Sequence, residues 1–219
     1  MHYTHKYLTN TLIYDLLSSV LGQRTVREEP MKSQDIIILL KLVSLLEQEE
    51  HSAHLHNNEQ SIREDLFSVR SLGSSLGISK SEVNASINRS IFSGLATKGL
   101  EFGRPQPNRR NLHNFIVHGL KFVFPAKPGA IERGIPTAFA APMLANLLMS
   151  AGEYTLVWPY AKGTEKGQSI EPLFKSVPEA VQNDERLYEY LALVDAIRLG
   201  KQRESQLASD QLERRLLKR

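Results

Sequence analysis

Ser68-Val-Arg70-Ser-Leu-Gly73-Ser-Ser-Leu-Gly77-Ile78-Ser79-Lys80-Ser81-Glu82-Val83-Asn84-Ala85-Ser-Ile87-Asn88-Arg89 is the stretch whose reading decides the fold. Ser68 can cap a short helix over residues 69–76, and Gly77 can stop it, because a left-handed residue past a helix end strains glycine least. Ile78 fills the turn. Ser79 then opens a second helix, and Glu82 three residues on completes a capping box, in which hydroxyl and carboxylate satisfy two orphan amides reciprocally. That helix runs to about Phe92, buries Val83, Ile87 and Ile91, and ends at Gly94. Two short helices joined by a tight turn containing glycine make a helix-turn-helix. With Val83 and Ile87 inward, the outward face comprises Lys80, Ser81, Asn84, Ala85, Asn88 and Arg89.

In its small residue, its Gly77, its Ser79-Lys-Ser-Glu82-Val83 and its closing Gly94-Leu95, the stretch resembles the winged helix-turn-helix transcriptional regulators of bacteria, with a MarR-like helix-turn-helix segment. The resemblance covers residues 34–110, about a third of the chain. One departure is Gly73, where that family more often has alanine; glycine fits there sterically but lowers helix propensity by ~1 kcal/mol. The resemblance implies a wing after Gly94. Residues 95–102 can supply one strand and residues 103–110 a basic turn, but no return strand is evident, so the expected wing is short or absent.

Charge agrees in position. The whole chain of 219 residues carries a formal net charge of only +3. Between Val69 and Arg110 stand Arg70, Lys80, Arg89, Lys98, Arg104, Arg109 and Arg110 against Glu82 and Glu101, a surplus larger than that of the whole chain. A surplus confined to one stretch suits a phosphate-facing surface. Asn on the second helix can bridge adenine, Arg can take guanine, and Ala or Ser can lie against a thymine methyl. Ser68, Arg70, Ser79, Arg104, Arg109 and Arg110 would hold phosphates, which position without specifying.

Other chemistries find little support. Absence of cysteine removes disulfides, thiol catalysis and thiolate metal sites. There is no GxxxxGK[ST], GxGxxG or GxSxG pattern, and Gly73-Ser-Ser is followed by no paired acids that would hold a metal, so no catalytic residue and no cofactor is expected. His51, His54 and His56 lie in a polar loop and His2 and His5 near a terminus, a solvated arrangement rather than a metal site. His113 and His118 are expected at a helix surface. The longest weakly polar stretch, residues 138–149, is broken by Pro142 and is too short for a membrane span, and no signal peptide is evident. A cytoplasmic protein is expected.

Around the central stretch the periodicity predicts a helical arm over residues 9–21 within an N-terminal region 1–30, and Met31 reads as an alternative start. An apolar helix over residues 34–47 follows, capped by Ser33, then a loop over residues 47–60. Residues 108–118 read as a helix, 120–124 as a strand, 125–136 as turn-rich, 138–149 as a helix of small residues, 154–158 as a strand and 162–167 as a polar turn. Pro178 opens a short helix, Asp184 caps another over residues 185–199, and a charged helix closes the chain over residues 204–217.

The fold class expected is therefore mainly α with a small β component (α+β): a winged helix-turn-helix domain over residues 31–110, then an effector or dimerisation region over residues 111–219. Phe122, Phe124, Phe139, Tyr154, Trp158 and Tyr160 can line an effector pocket or form a plain core. Arg133 and Arg198 are candidate anion contacts. The C-terminal helix pair and the N-terminal helix are natural dimer surfaces, and a dimer can read a palindrome. The expected function is that of a sequence-specific double-stranded-DNA-binding regulator, a repressor, homodimeric and responsive to a small molecule or partner protein. The alternative is an antitoxin-like or complex-forming protein whose C-terminal half binds a partner.

Overall fold

In the computed structural model the described residues are 29–53, 66–99, 104–144 and 155–217. Predicted features over residues 9–21, His2, His5, His54, His56 and Tyr154 lie outside them. The organising element is α1, Ser33–Ala53. Residues 35–40 and 42–45 are all buried, and a helix apolar around so much of its circumference has to be enclosed by other elements. Its start differs from expectation. Ser33 does not cap: its hydroxyl donates to the Leu173 carbonyl, and the reach-back bond is made by Asp35, whose Oδ2 accepts from the Lys32 amide at 2.8 Å. The helix also runs past residue 47 instead of ending there, because the carboxylates expected to lie in a loop are engaged. Glu47 binds Arg109 at 2.8 Å, Arg186 at 3.2 Å and the Tyr190 hydroxyl at 2.8 Å, and Glu49 binds Arg104 at 3.3 Å.

Two short helices follow, α2 at Val69–Leu76 and α3 at Lys80–Phe92. Ser68 Oγ accepts from the Ser71 amide at 3.1 Å and Ser79 Oγ from the Glu82 amide at 3.3 Å. Gly77 takes φ +62, and the amides of Gly77 and Ile78 both donate to the Gly73 carbonyl. The turn folds back so closely that a Cβ on Gly73 would stand 2.6 Å from the Ile78 carbonyl oxygen. Glycine at this position is thus required by the turn and is not a neutral departure. Gly73→Ala should destabilise the protein by about 1–3 kcal/mol net, although alanine gains ~1 kcal/mol in helix propensity. A urea midpoint lowered at unchanged m-value checks this; an unchanged or raised midpoint would show that the turn relaxes freely.

After α3 the chain forms a two-stranded antiparallel sheet, β1 at Ala96–Lys98 and β2 at Pro105–Pro107, with Thr97 opposite Gln106. The return strand is the one the sequence does not reveal, since two prolines in three residues argue against a strand. Here Gly99 N donates to Arg104 O and Asn108 N to Leu95 O. That alternation puts Pro105 and Pro107 at positions whose nitrogens face away from the partner strand. Asn108 then caps α4, Arg109–His118, and one further turn, α5 at Leu120–Val123, follows. The predicted strand at residues 120–124 is therefore helical: Leu120 enters the core while Lys121, Phe122 and Val123 face out, a pattern with no alternation.

The larger sheet takes one strand where a strand is expected, near residues 154–158, and two from stretches predicted as turns, 125–136 and 162–167. β3, Pro128–Pro136, runs antiparallel to β4, Leu156–Pro159, and to β5, Glu165–Ile170, while β4 and β5 pair in parallel, so three strands close on one another. Closure on so few strands needs backbones in near contact. A Cβ on Gly134 would lie 2.0 Å from Trp158 O, and one on Gly167 2.1 Å from Thr155 O. Of the predicted helix over residues 138–149, Ala138–Ala140 form a 3-10 turn and residues 145–150 lie outside those described.

A short helix α6, Val177–Ala180, leads through a 3-10 turn to α7, Glu185–Leu199, and α8, Gln202–Leu217. Asp184 caps α7 through the Leu187 amide at 2.9 Å, and also accepts from Lys41 at 2.8 Å and Ser44 at 2.8 Å on α1. α7 is buried almost all round, and Ala208, Leu212 and Leu216 of α8 pack within the same core. The C-terminal pair expected as a dimer surface thus packs its apolar face inside its own chain, while the outward side of α8, with Leu207 at 38% exposure, stays open. Residues Met31–Arg219 form one compact unit whose apolar core runs from Ile36 to Leu216 without a break at residue 110. The coarse class is mainly helical with small sheets. Among the described residues no helix is long and apolar enough to cross a membrane.

Candidate nucleic-acid interface

α3 presents two different faces. Inward it turns Val83, Ser86, Arg89 and Ser90, all buried, with Arg89 reaching α1. The hydroxyls of Ser86 and Ser90 find no hydrogen-bond partner in the described structure. Toward solvent α3 turns Lys80, Ser81, Asn84 and Asn88, all exposed, with Ala85 half-buried.

Arg89 is the main correction. It is only 8% exposed, and its guanidinium grips Asp35 in a bidentate pair, Nε to Oδ2 at 2.9 Å and Nη2 to Oδ1 at 2.7 Å. Nη2 also donates to Glu82 Oε1 at 2.7 Å, which Lys32 Nζ approaches at 3.1 Å. The hydrogen bond to Asp35 raises the Arg89 pKa further above its ordinary value, against the opposing effect of burial. Burial alone would raise the Glu82 carboxyl, but hydrogen bonds from Arg89 and Lys32 outweigh it and hold that carboxyl below its usual range. These bonds leave the predicted capping box half made: Ser79 accepts from Glu82, but the Glu82 carboxylate turns to Arg89 and Lys32. Arg89 fastens α3 to α1 and cannot reach a base edge.

Arg104 and Arg109 are likewise engaged, with Glu49 and Glu47 of α1, and Arg104 also stacks 4.7 Å from the Phe67 ring centre. Three of the seven basic residues between Val69 and Arg110 are thus matched by carboxylates from a single helix more than fifty positions earlier. A guanidinium held in a part-buried ion pair offers a phosphate only its remaining N–H groups and a charge already partly neutralised. The cations left exposed and without an ion pair in the described structure are Arg70, Lys80, Lys98 and Arg110. Ser68 and Ser79 are spent chiefly as helix caps.

Phe92 is a residue the sequence reading missed. It is 69% exposed at the last position of α3 and, at spacings of four, continues the outward stripe of Asn84 and Asn88. The signal was available in that spacing, but an aromatic near a helix end reads first as core.

Elsewhere, both arginines considered as anion contacts are engaged, while Phe122, considered for an effector pocket, is exposed. Arg198 lies 2.6 Å from Asp195 and also donates to the Phe124 carbonyl at 2.9 Å, and Arg133 donates to the Gly163 carbonyl at 3.3 Å. His113 is buried, with no hydrogen-bond partner for Nε2 in the described structure, and is not on the helix surface. Phe139 and Trp158 belong to the core. Comparison with protein families, curated proteins and solved structures gives no match.

Proposed function

We propose that this chain is a cytoplasmic, sequence-specific regulator of transcription, a repressor, that binds double-stranded DNA as a homodimer with α3 in the major groove. In this reading α2 and α3 are a helix-turn-helix and β1–β2 a short wing, the arrangement of winged helix-turn-helix regulators. The observation that carries it is the outward stripe Ser81, Asn84 and Asn88 on a helix whose opposite face is locked to α1 by a buried ion pair. An uncharged polar ridge on a rigid base is what reading base edges requires, because the major groove admits one helix and shows a distinct donor and acceptor pattern for each pair. Arg89 is no part of that ridge. Phosphates fall to Arg70, Lys80, Lys98 and Arg110, while residues 111–219 brace the module and respond to a partner or effector.

Four phosphate-facing cations per protomer predict that the logarithm of affinity falls against the logarithm of salt concentration with a slope of about −3 to −4 per protomer. Fluorescence anisotropy on the duplex upstream of the chain's own coding region, with an unrelated duplex beside it, measures this. Tighter binding of the upstream duplex with that slope is expected. Absence of binding to either duplex at low salt overturns the reading.

A second reading is favoured by Phe122 and Val123, 75% and 52% exposed on α5: an antitoxin-like protein that binds a partner chain. Co-purification of such a chain with no shift of DNA would select it.

A further inference from the structure

We propose that the major-groove site is A·T-rich at its centre, with Asn84 and Asn88 reading adenines and Phe92 lying against a thymine methyl. The inference rests on the DNA-binding reading and adds the base chemistry that surface takes. The guanidinium on α3 that could take the O6/N7 pair of guanine is that of Arg89, and it is committed to Asp35 and Glu82 on the inner face. What remains outward at spacings of four is an amide, an amide and an aromatic ring. An asparagine amide can donate to adenine N7 and accept from N6 in one plane, a match guanine does not offer, since guanine presents two acceptors there. An exposed phenylalanine has no polar group to satisfy and gains most against the C5 methyl that only thymine carries. Half-buried Ala85 lies beside the same stripe and adds no donor for guanine. Lys80, in the first turn of α3, can take a phosphate or one guanine at the edge of the site, so the A·T preference belongs to the steps facing the middle and end of the helix. Arg70 and Lys98, exposed on the neighbouring elements, supply the charge that draws in a duplex.

The test uses the full chain and duplexes altered one atom set at a time. An A·T-rich duplex should bind roughly tenfold or more tightly than a G·C-rich duplex of equal length. Asn84→Ala with Asn88→Ala should bring the two to equal affinity by weakening only the A·T-rich one. Replacing adenine by 7-deazaadenine, which deletes the acceptor N7 in the major groove and leaves the minor groove intact, should weaken the native chain and leave that double variant unchanged. Replacing thymine by uracil should weaken the native chain but not Phe92→Ala. Equal affinity of the native chain for both duplexes, a preference for G·C, or indifference to both base analogues overturns the inference while the binding reading stands. Absence of binding to every duplex overturns both.

Discussion

Asp35→Ala is expected to destabilise the protein by about 3–5 kcal/mol, the cost of leaving one partner of a buried ion pair alone. Asp35 is fully buried and serves two helices at once: it accepts from the Lys32 amide at the start of α1 and from Arg89 of α3 through both oxygens. Its removal deprives the Arg89 guanidinium of its bidentate partner, with the part-exposed Glu82 still beside it, and also opens the helix end. Replacing the pair together, as Asp35→Leu with Arg89→Met, should return stability to within about 2 kcal/mol of the native chain, because matched apolar groups need no solvation and the further losses are the reach-back bond and a contact with the part-exposed Glu82, which keeps Lys32. Urea unfolding of both variants measures the difference. A single variant within about 1 kcal/mol of the native chain would mean that Arg89 finds water or another partner at little cost.

Asp195→Ala is expected to cost a similar amount, about 3–5 kcal/mol, in the C-terminal half. The Asp195 carboxylate lies in the core, 2% exposed, and gathers three donors: Arg198 Nη1 at 2.6 Å, Trp158 Nε1 at 2.6 Å and Thr137 Oγ1 at 3.0 Å. Burial pushes its pKa up, while the Arg198 charge and the hydrogen bonds from Trp158, Arg198 and Thr137 pull it down. The group ties α7 to β4 and to the segment after β3, where Ala138 is held at φ +50. Alanine would orphan the indole N–H and the hydroxyl and leave Arg198 with carbonyls alone. The Trp158 fluorescence should shift at the same urea concentration at which helical signal is lost. A midpoint equal to that of the native chain would show that water replaces the carboxylate in full.

Local chemistry was legible in the sequence, and long-range pairing was not. Ser68, Ser79 and Asp184 cap helices as read, because a cap needs only a side chain and an amide three residues on. Gly77 stops α2 as read, and the last long helices fall close to their predicted limits. Glycine and proline misled elsewhere. Gly134 and Gly167 are turn-like in a sequence, yet here they mark strand crossings too close for a Cβ, and Pro105 and Pro107 sit in a strand whose ladder does not use their nitrogens. Arg89 looked outward because an arginine on an amphipathic helix is ordinarily solvated, and its partner Asp35 stands 54 positions away. Of the expected base-facing set, Lys80, Ser81, Asn84 and Asn88 are exposed, Ala85 is half-buried and Arg89 is withdrawn.

The outward stripe of α3 and the inward lock of Arg89 make opposite demands on one titration of a fluorescent duplex. Asn84→Ala with Asn88→Ala should melt like the native chain and bind roughly tenfold or more weakly, whereas Asp35→Leu with Arg89→Met should bind with native affinity. Native affinity in the asparagine variant, together with loss of binding in a folded Asp35→Leu with Arg89→Met chain, would contradict the account.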